Sequence, residues 1–259
     1  MTDRILAAFG WYSRKGASQS ENRDLGAFLR GEQFALGMIA DSFGSHVLGS
    51  DYAVAFINDL VLRLARPVRP SATAVMRACR DAHEGLRRPY AGGRFCFALV
   101  CVYALSGDAW SIHCGDCRIG TRSIADEVVW RTAVHRETFP NEEAFDLRHV
   151  LDPDRQGVTR FVGLRPPDFE ITHFERGCSD FILATDGFWA PHVLGSVESA
   201  AHDDCSVLAF HVSHDMFVID SDCSNFGIWS ARRGKLNWEP GRAPQMKPLA
   251  LTNELAPRS

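Results

Sequence analysis

The residues best suited to chemistry in this sequence are aspartates placed at the ends of apolar segments. Asp41 and Asp186 each follow an apolar run, and Asp203 and Asp204 directly precede another. If these runs are β-strands, their rigid ends allow several carboxylates to converge at one edge of a sheet. Gathered carboxylates repel one another unless a cation neutralises them, and oxygen ligands suit Mg²⁺ or Mn²⁺. The pattern therefore predicts a site for hard divalent metal ions.

Each aspartate taken alone also fits a structural role. An Asp-Gly pair such as Asp186-Gly187 is common in turns, and aspartate frequently caps the first turn of a helix. The same residue type at several strand ends favours a shared site over a set of separate turns.

The elements that must position these aspartates follow from the apolar pattern. Strands are predicted at residues 4–9, 34–40, 95–105, 110–113, 127–132, 181–184 and 206–212, with 216–219 as a hairpin partner of the last. Between residues 54 and 86, apolar residues recur at helical spacing in two segments, which prolines at 67 and 89 follow. Because strands and helices are grouped rather than alternating, we predict an α+β layered domain with largely antiparallel sheets.

Composition excludes several classes of protein. The chain has 259 residues, of which 46% are hydrophobic and 23% charged, as in ordinary globular domains. Its formal net charge of -4 gives no general attraction to nucleic acid or anionic lipid. The longest strongly apolar stretch, residues 95–105, is much shorter than a membrane-spanning helix. We therefore expect neither nucleic acid nor a membrane as a partner.

Cysteine usage and the N-terminal sequence bear on the compartment. Eight cysteines are too sparse for a disulfide-stapled mini-domain, and several lie in apolar runs. No basic segment followed by an apolar one begins the sequence. We expect a reducing, cytoplasmic environment. Residues 1–220 are predicted to form the main domain, and residues 221–259, which carry four prolines, a partly irregular C-terminal extension.

Six short motifs occur in order between about residue 12 and residue 212. They are Gly16 with NRD at 22–24, ADSFGSH at 40–46, GDCR at 115–118, VTRFVG at 158–163, TDGFW at 185–189 and DDCSV at 203–207. In this order they resemble the successive motifs of the metal-dependent, type 2C protein serine/threonine phosphatases. The resemblance implies a four-layer α-β-β-α sandwich, in which helices flank two antiparallel sheets.

The resemblance also implies an activity, the hydrolysis of phosphoserine and phosphothreonine esters on proteins. Two Mg²⁺ or Mn²⁺ ions bridged by a carboxylate hold a water, lower its pKa and direct it at the phosphorus, so that no phosphoenzyme forms. By similarity Asp41 is the bridging ligand and Asp24 orients metal-bound waters. A phosphorylated protein substrate, with a paired serine/threonine kinase, is the implied partner.

Further metal ligands are assigned by the same similarity. Asp186 and Asp203 complete the shell of one ion, and the backbone carbonyl of Ser42 serves the second. Asp116, in the GDCR motif, matches a position that helps to hold a third, weaker ion in many bacterial members.

The sequence departs from the family pattern near the predicted metals. Arg23 replaces an acidic residue, which places a cation beside the second ion. Ser42 replaces a glycine, and strain is expected if that position needs a positive φ. Gln19 replaces a phosphate-binding arginine, and a neutral amide cannot reproduce a bidentate charged contact.

Substitute phosphate ligands are available nearby. Arg14, Lys15 or Arg23 could bind the substrate phosphate, and His46 could contact it or simply hydrogen-bond its own loop. The departures leave a second hypothesis open: a catalytically weak or inactive phosphatase-like domain that binds a phosphoprotein or a regulatory partner. The retained aspartates favour the enzyme, because a chain without catalysis has little physical reason to keep carboxylates clustered.

Overall fold

A computed structural model describes residues 8–17, 19–44, 48–123, 127–136, 157–194, 203–211, 216–232 and 235–238. Three helices lie in these ranges: α1 Leu48–Leu64, α2 Ala72–Leu86 and α3 Asp186–Leu194. The strands in the same ranges are β1 Ala8–Arg14, β2 Asp24–Arg30, β3 Phe34–Ser42, β4 Phe95–Tyr103, β5 Ala109–Cys114, β6 Arg118–Arg122, β7 Val128–Trp130, β8 Glu170–His173, β9 Asp180–Ala184, β10 Cys205–His211, β11 Met216–Ser221, β12 Phe226–Arg232 and β13 Lys235–Trp238.

The strands form two sheets. One has the order β11-β1-β10-β9-β6-β7 and the other β13-β12-β2-β3-β4-β5-β8. Neighbouring strands pair antiparallel except β1 with β11 and β12 with β2, which are parallel. The α+β sandwich predicted from the grouping of elements is therefore confirmed, with mixed rather than purely antiparallel sheets.

Two apolar layers hold the sandwich together. The layer between the sheets includes Phe9, Trp11, Phe28, Ile39, Phe181, Leu208 and Phe210. The layer between the seven-stranded sheet and the first two helices includes Leu36, Met38, Tyr52, Phe56, Phe95, Phe97 and Leu99. Because β2, β3 and β4 are covered on both faces, they are buried along almost their whole length and read as continuous apolar runs.

Helices cover both outer faces. α1 packs on β2, β3 and β4, and α2 packs beside it, with Ser71 as the N-cap that accepts a hydrogen bond from the amide of Ala74. On the opposite face α3 contacts β10 through a small cluster around the fully buried Trp189. Among the described helices, none combines the length and the apolar character needed to cross a membrane.

The hairpin predicted between residues 206–212 and 216–219 is wrong. β11 pairs in parallel with β1 and not with β10. The reason is that β10 is already paired on both sides, with β1 and with β9. Both of its hydrogen-bonding edges are occupied, so β11 adds to the outer edge of β1.

The chain after residue 220 contributes to the same sheets. β12 pairs in parallel with β2, and Asn225 accepts a 3.1 Å hydrogen bond from the indole nitrogen of Trp11. The irregular structure expected here is thus replaced by strands at residues 226–232 and 235–238. Residues 239–259 lie outside the described part of the chain, and the domain boundary at residue 220 stays a prediction.

Gly187 marks a close approach between two segments. A Cβ on Gly187 would lie 2.0 Å from the backbone oxygen of Asp204. The first turn of α3 therefore packs directly on the backbone that leads into β10, and a side chain there would push the two apart.

We expect Gly187→Ala to lower the free energy of unfolding by about 1–3 kcal/mol, because backbone atoms rather than a flexible side chain must move. Gly85→Ala is the matched control: Gly85 lies in α2, and its Cβ would meet nothing within 4 Å. That variant should gain up to about 1 kcal/mol from helix propensity. Urea denaturation of both variants checks the pair, and equal effects would contradict the close approach.

Candidate functional site

Five aspartates come together at one edge of the sandwich. Asp24, the first residue of β2, is the cross-strand partner of Asp41 in β3. Asp186 begins α3 just after β9, Asp203 lies before β10, and Asp116 lies in the turn between β5 and β6. Strand ends of both sheets thus contribute to this group of carboxylates.

The closeness of these carboxylates affects the pKa of Asp41. Burial raises the pKa of this carboxyl well above its usual range, and the negative charges of Asp24, Asp186, Asp116 and Asp203 raise it further. The surrounding protein provides little compensation for the charge of Asp41. A carboxylate in this environment is stable as an anion only when a cation binds beside it.

Asp24 is held on one oxygen only. Its Oδ2 accepts a 2.9 Å hydrogen bond from the hydroxyl of Thr185, while Oδ1 is buried without a hydrogen-bond partner in the described part of the chain. Burial raises the pKa of Asp24, and the charges of Asp204 and Asp186 act in the same direction against the nearby hydroxyls of Ser206 and Thr185. A buried carboxylate oxygen without a donor is costly, and it fits a position beside a cation or its waters.

The two adjacent aspartates before β10 have different environments. Asp204 accepts hydrogen bonds from the backbone amides of Gly16, at 2.9 Å, and Arg23, at 2.7 Å. Asp203 accepts a hydrogen bond from the amide of Asp204 at 2.9 Å and a longer one from Gln19 at 3.3 Å. Asp204 therefore fixes the segment between β1 and β2, and Asp203 is the one whose charge acts on Asp41.

Arg136 is the site residue that the sequence did not indicate. Its Nη2 donates to Oδ2 of Asp116 at 2.8 Å and to Oδ2 of Asp186 at 3.1 Å. Its side chain is only 3% exposed. Burial alone lowers the pKa of Arg136, but the two carboxylates reverse this effect and raise it. No quoted motif contains Arg136, because its partners lie 20 and 50 residues away along the chain.

Two of the departures from the family pattern, Arg23 and Ser42, have local structural explanations. The guanidinium of Arg23 donates to the backbone oxygen of Gly44 at 2.6 Å and so fixes the loop after β3. Ser42 is buried and continues β3, where it pairs with Phe95. A strand position needs no positive φ, so the strain expected for a serine at this point does not arise.

The predicted phosphate ligands are placed differently from one another. Arg14 forms an ion pair with Asp220 at 2.6 Å, at the edge between β1 and β11. The ammonium group of Lys15 donates to the backbone oxygen of Gln19 at 2.7 Å, and the Gln19 side chain in turn contacts Asp203. The ammonium group of Lys15 thus binds the backbone of the residue whose side chain contacts Asp203, while Arg14 is bound to Asp220. His46 lies outside the described residues.

A second cluster of possible metal ligands lies next to Gly115, the residue before Asp116. The rings of His113 and His135 stack at 4.6 Å, and Nε2 of His135 is 3.1 Å from Glu170. Nδ1 of His135 accepts from the amide of Gly115, so the neutral ring donates to Glu170 through Nε2. The guanidinium of Arg160 lies 3.4 Å from both of these atoms. A cation is therefore already present, and nearly parallel rings do not direct their lone pairs to one point.

Comparisons with known proteins support the fold. No family model and no curated protein matches the sequence. Among solved structures, a serine/threonine phosphatase of S. agalactiae is 16% identical with a TM-score of 0.65, covering 80% of this chain and 100% of that chain. Stp1 from Staphylococcus aureus is 14% identical with a TM-score of 0.63, covering 82% and 97%. The chain therefore has the fold of the bacterial serine/threonine phosphatases.

A third solved structure carries metal ions. The catalytic domain of the phosphatase PstP, in complex with 2 manganese ions, is 17% identical with a TM-score of 0.57, covering 80% of this chain and 99% of that chain. Identities at this level establish a shared architecture. The activity of this chain has to be inferred from its own residues.

We expect the metal-free protein to lose stability as the pH rises. The pKa of Asp41 is raised in the folded state, so folding is favoured below the ordinary pKa of an aspartate and disfavoured as the pH rises through the folded value. Asp41→Asn should therefore raise the free energy of unfolding in chelator more at pH 8 than at pH 5. Thermal unfolding at pH 5 and pH 8 measures this, and a gain that is equal at both pH values would contradict it.

Acid stability depends on His113. Burial, with the neighbouring His135, lowers the pKa of His113 from 6.5 to about 4. Its contribution is complete above pH 6.5 and is lost as the pH falls towards 4, a loss of order 3 kcal/mol. His113→Phe should flatten the unfolding profile in this range, whereas His173→Phe, at an exposed position in β8, should not. A profile unchanged by His113→Phe would contradict this assignment.

Proposed function

We propose that this protein is a metal-dependent phosphatase that hydrolyses phosphoserine and phosphothreonine esters on proteins. The observation that carries the proposal is the group of five carboxylates that includes Asp41, whose pKa is raised by burial and by the charges of the other four. Divalent cations relieve such repulsion, and phosphoester hydrolysis is a reaction that they promote. The phosphatase fold of the chain supports this choice over other metal-dependent reactions.

The residues present fit Mg²⁺ or Mn²⁺. Asp41, Asp186 and Asp203 would supply carboxylate oxygens, and Ser42 its backbone carbonyl, which is the hard oxygen set that these ions prefer. The structural neighbours RsbX, in complex with magnesium, and PstP, with manganese, support the same choice of ions. When bound, the ions supply a water of lowered pKa and stabilise the charge on the phosphoryl oxygens.

The chain's own residues orient the reactants. Asp24, fixed on one side by Thr185, has its second oxygen available to accept a hydrogen bond from the attacking water. The ammonium group of Lys15 donates to the backbone oxygen of Gln19, whose side chain contacts Asp203, and we propose that Lys15 binds the substrate phosphate. Arg14 and His46 remain further proposed ligands of the substrate phosphate.

The proposed setting is a reducing cytoplasm with a phosphorylated protein as substrate and a serine/threonine kinase as the opposing enzyme. Support for the compartment comes from the eight cysteines, none of which forms a disulfide. Support for the substrate class comes from the neighbours, which are serine/threonine phosphatases.

A specific observation favours the second candidate, a phosphatase-like domain that binds a phosphoprotein without turnover. Arg136 engages Asp186 at 3.1 Å, and Asp186 is one of the proposed ligands. A carboxylate oxygen that already accepts from a guanidinium is a weaker ligand. Arg23 adds a second positive charge close to the loop after β3. The two candidates differ in whether metal-dependent turnover is observed.

The test is hydrolysis of a chromogenic phosphoester and of a phosphothreonine peptide with Mn²⁺, with Mg²⁺ and with chelator. Turnover should require metal, and Asp41→Asn and Asp24→Asn should each reduce it on the order of 100-fold or more. Asp108→Asn is the matched control, because Asp108 lies at the opposite end of β5 from Asp116 and forms exposed ion pairs. Its activity should stay within about twofold of the unsubstituted protein.

Turnover that persists in chelator would overturn the proposed mechanism. If no condition gives turnover, binding of the phosphothreonine peptide should be measured by calorimetry. Micromolar binding that the unphosphorylated peptide does not share would support the phosphoprotein-binding domain instead.

A further inference from the structure

One cation is built into the carboxylate cluster. Nη2 of Arg136 lies between Oδ2 of Asp116, at 2.8 Å, and Oδ2 of Asp186, at 3.1 Å. The side chains of Arg136 and Asp116 are 3% and 7% exposed, and that of Asp186 is 16% exposed. A single nitrogen thus joins Asp116, in the turn that connects the two sheets, to Asp186 at the start of α3.

The surroundings fix Arg136 in this place. Its backbone forms a β-bridge with Val158, and its amide donates to the backbone oxygen of Val134 at 3.2 Å. The ring of Trp189 lies 5.6 Å from the guanidinium carbon, and its indole nitrogen donates to the backbone oxygen of Asp116 at 2.9 Å. Arg136 is therefore held by backbone, ring and carboxylates together.

We propose that Arg136 is a protein-supplied cation that closes the Asp116 side of the cluster to metal ions and positions Asp186 for the remaining ones. This inference rests on the proposed metal centre and goes beyond it, because it limits the number of ions that the centre binds. The third ion that the family resemblance implied for Asp116 does not fit here. Oδ2 of Asp116 accepts from Arg136, and an ion at Oδ1, which has no hydrogen-bond partner in the described part of the chain, would lie directly beside the guanidinium.

Geometry and charge both exclude an additional ion. A divalent metal would need carboxylate oxygens at about 2.0–2.6 Å, and a guanidinium nitrogen already lies at hydrogen-bonding distance from Oδ2 of both aspartates. Two cations so close together in a buried site repel strongly. Arginine does not lose its proton under physiological conditions, so the exclusion does not depend on pH.

The charge balance agrees with this count. Asp41 and the four aspartates whose charges act on it, together with the one guanidinium of Arg136, leave four formal negative charges. Two divalent ions balance that number. Because its side chain is only 3% exposed, Arg136 does not reach a phosphoprotein, and it acts as a positioning residue rather than as a ligand of the substrate.

The experiment counts bound Mn²⁺ by equilibrium dialysis, with metal analysis, for the unsubstituted chain, Arg136→Ala and Arg136→Lys. We expect Arg136→Ala to bind one ion more than the unsubstituted chain, and Arg136→Lys to bind the unsubstituted number because its ammonium group retains the charge. The readout is the difference between variants. A difference of zero between Arg136→Ala and the unsubstituted chain overturns the proposal.

The number bound by the unsubstituted chain tests the proposed function separately. Two ions support the metal centre, and none would overturn it, whereas the inference about Arg136 is decided by the difference alone. Circular dichroism establishes that each variant is folded before ions are counted.

A second measurement covers the case in which Arg136→Ala does not fold. Asp116→Asn keeps an oxygen that can accept from Arg136 and should fold. It should bind as many ions as the unsubstituted chain, because Arg136 is already paired with Asp116 through Oδ2. The loss of one ion in Asp116→Asn would show that Asp116 binds metal and would overturn the proposal.

Discussion

The repulsion among carboxylates gathered at one edge of the sandwich is the constraint on which the rest of this structure depends. Asp41 lies among four other aspartates, and its pKa is raised by burial and by their charges. Separated in water these groups would cost nothing, but held together in the fold they cost free energy that the remainder of the molecule must supply. That free energy comes from the two apolar layers, one between the sheets and one beneath α1 and α2.

The scaffold also resists the tendency of these groups to move apart. The antiparallel register of β2 and β3 fixes Asp24 opposite Asp41. Asp204 ties the segment between β1 and β2 to the start of β10 through two backbone amides, and Gly187 allows α3 to approach the same backbone. Arg136 then relieves part of the repulsion from within the protein. The site is therefore preorganised by rigid elements rather than by flexible loops.

Stability and function oppose each other at this edge. An aspartate that destabilises the metal-free fold also favours metal binding, because the bound ion removes the repulsion among the carboxylates. Arg136 shifts this balance towards stability, since it pairs with one oxygen of Asp116 and one oxygen of Asp186 without any ion. The affinity of Asp186 and Asp203 for metal ions decides whether the chain acts as a phosphatase or as a binding domain.

The sequence by itself determined the layered α+β class and the aspartates at the strand ends, because both depend on local patterns of apolar and acidic residues. Only the tertiary structure decided how those elements meet. The position of β11 depends on which edges of β10 are already paired. Arg136 and the stacked pair His113 and His135 depend on contacts between distant parts of the chain. Such contacts leave no local periodicity in the sequence. The role of Arg136 in the site could therefore be identified only from the folded structure.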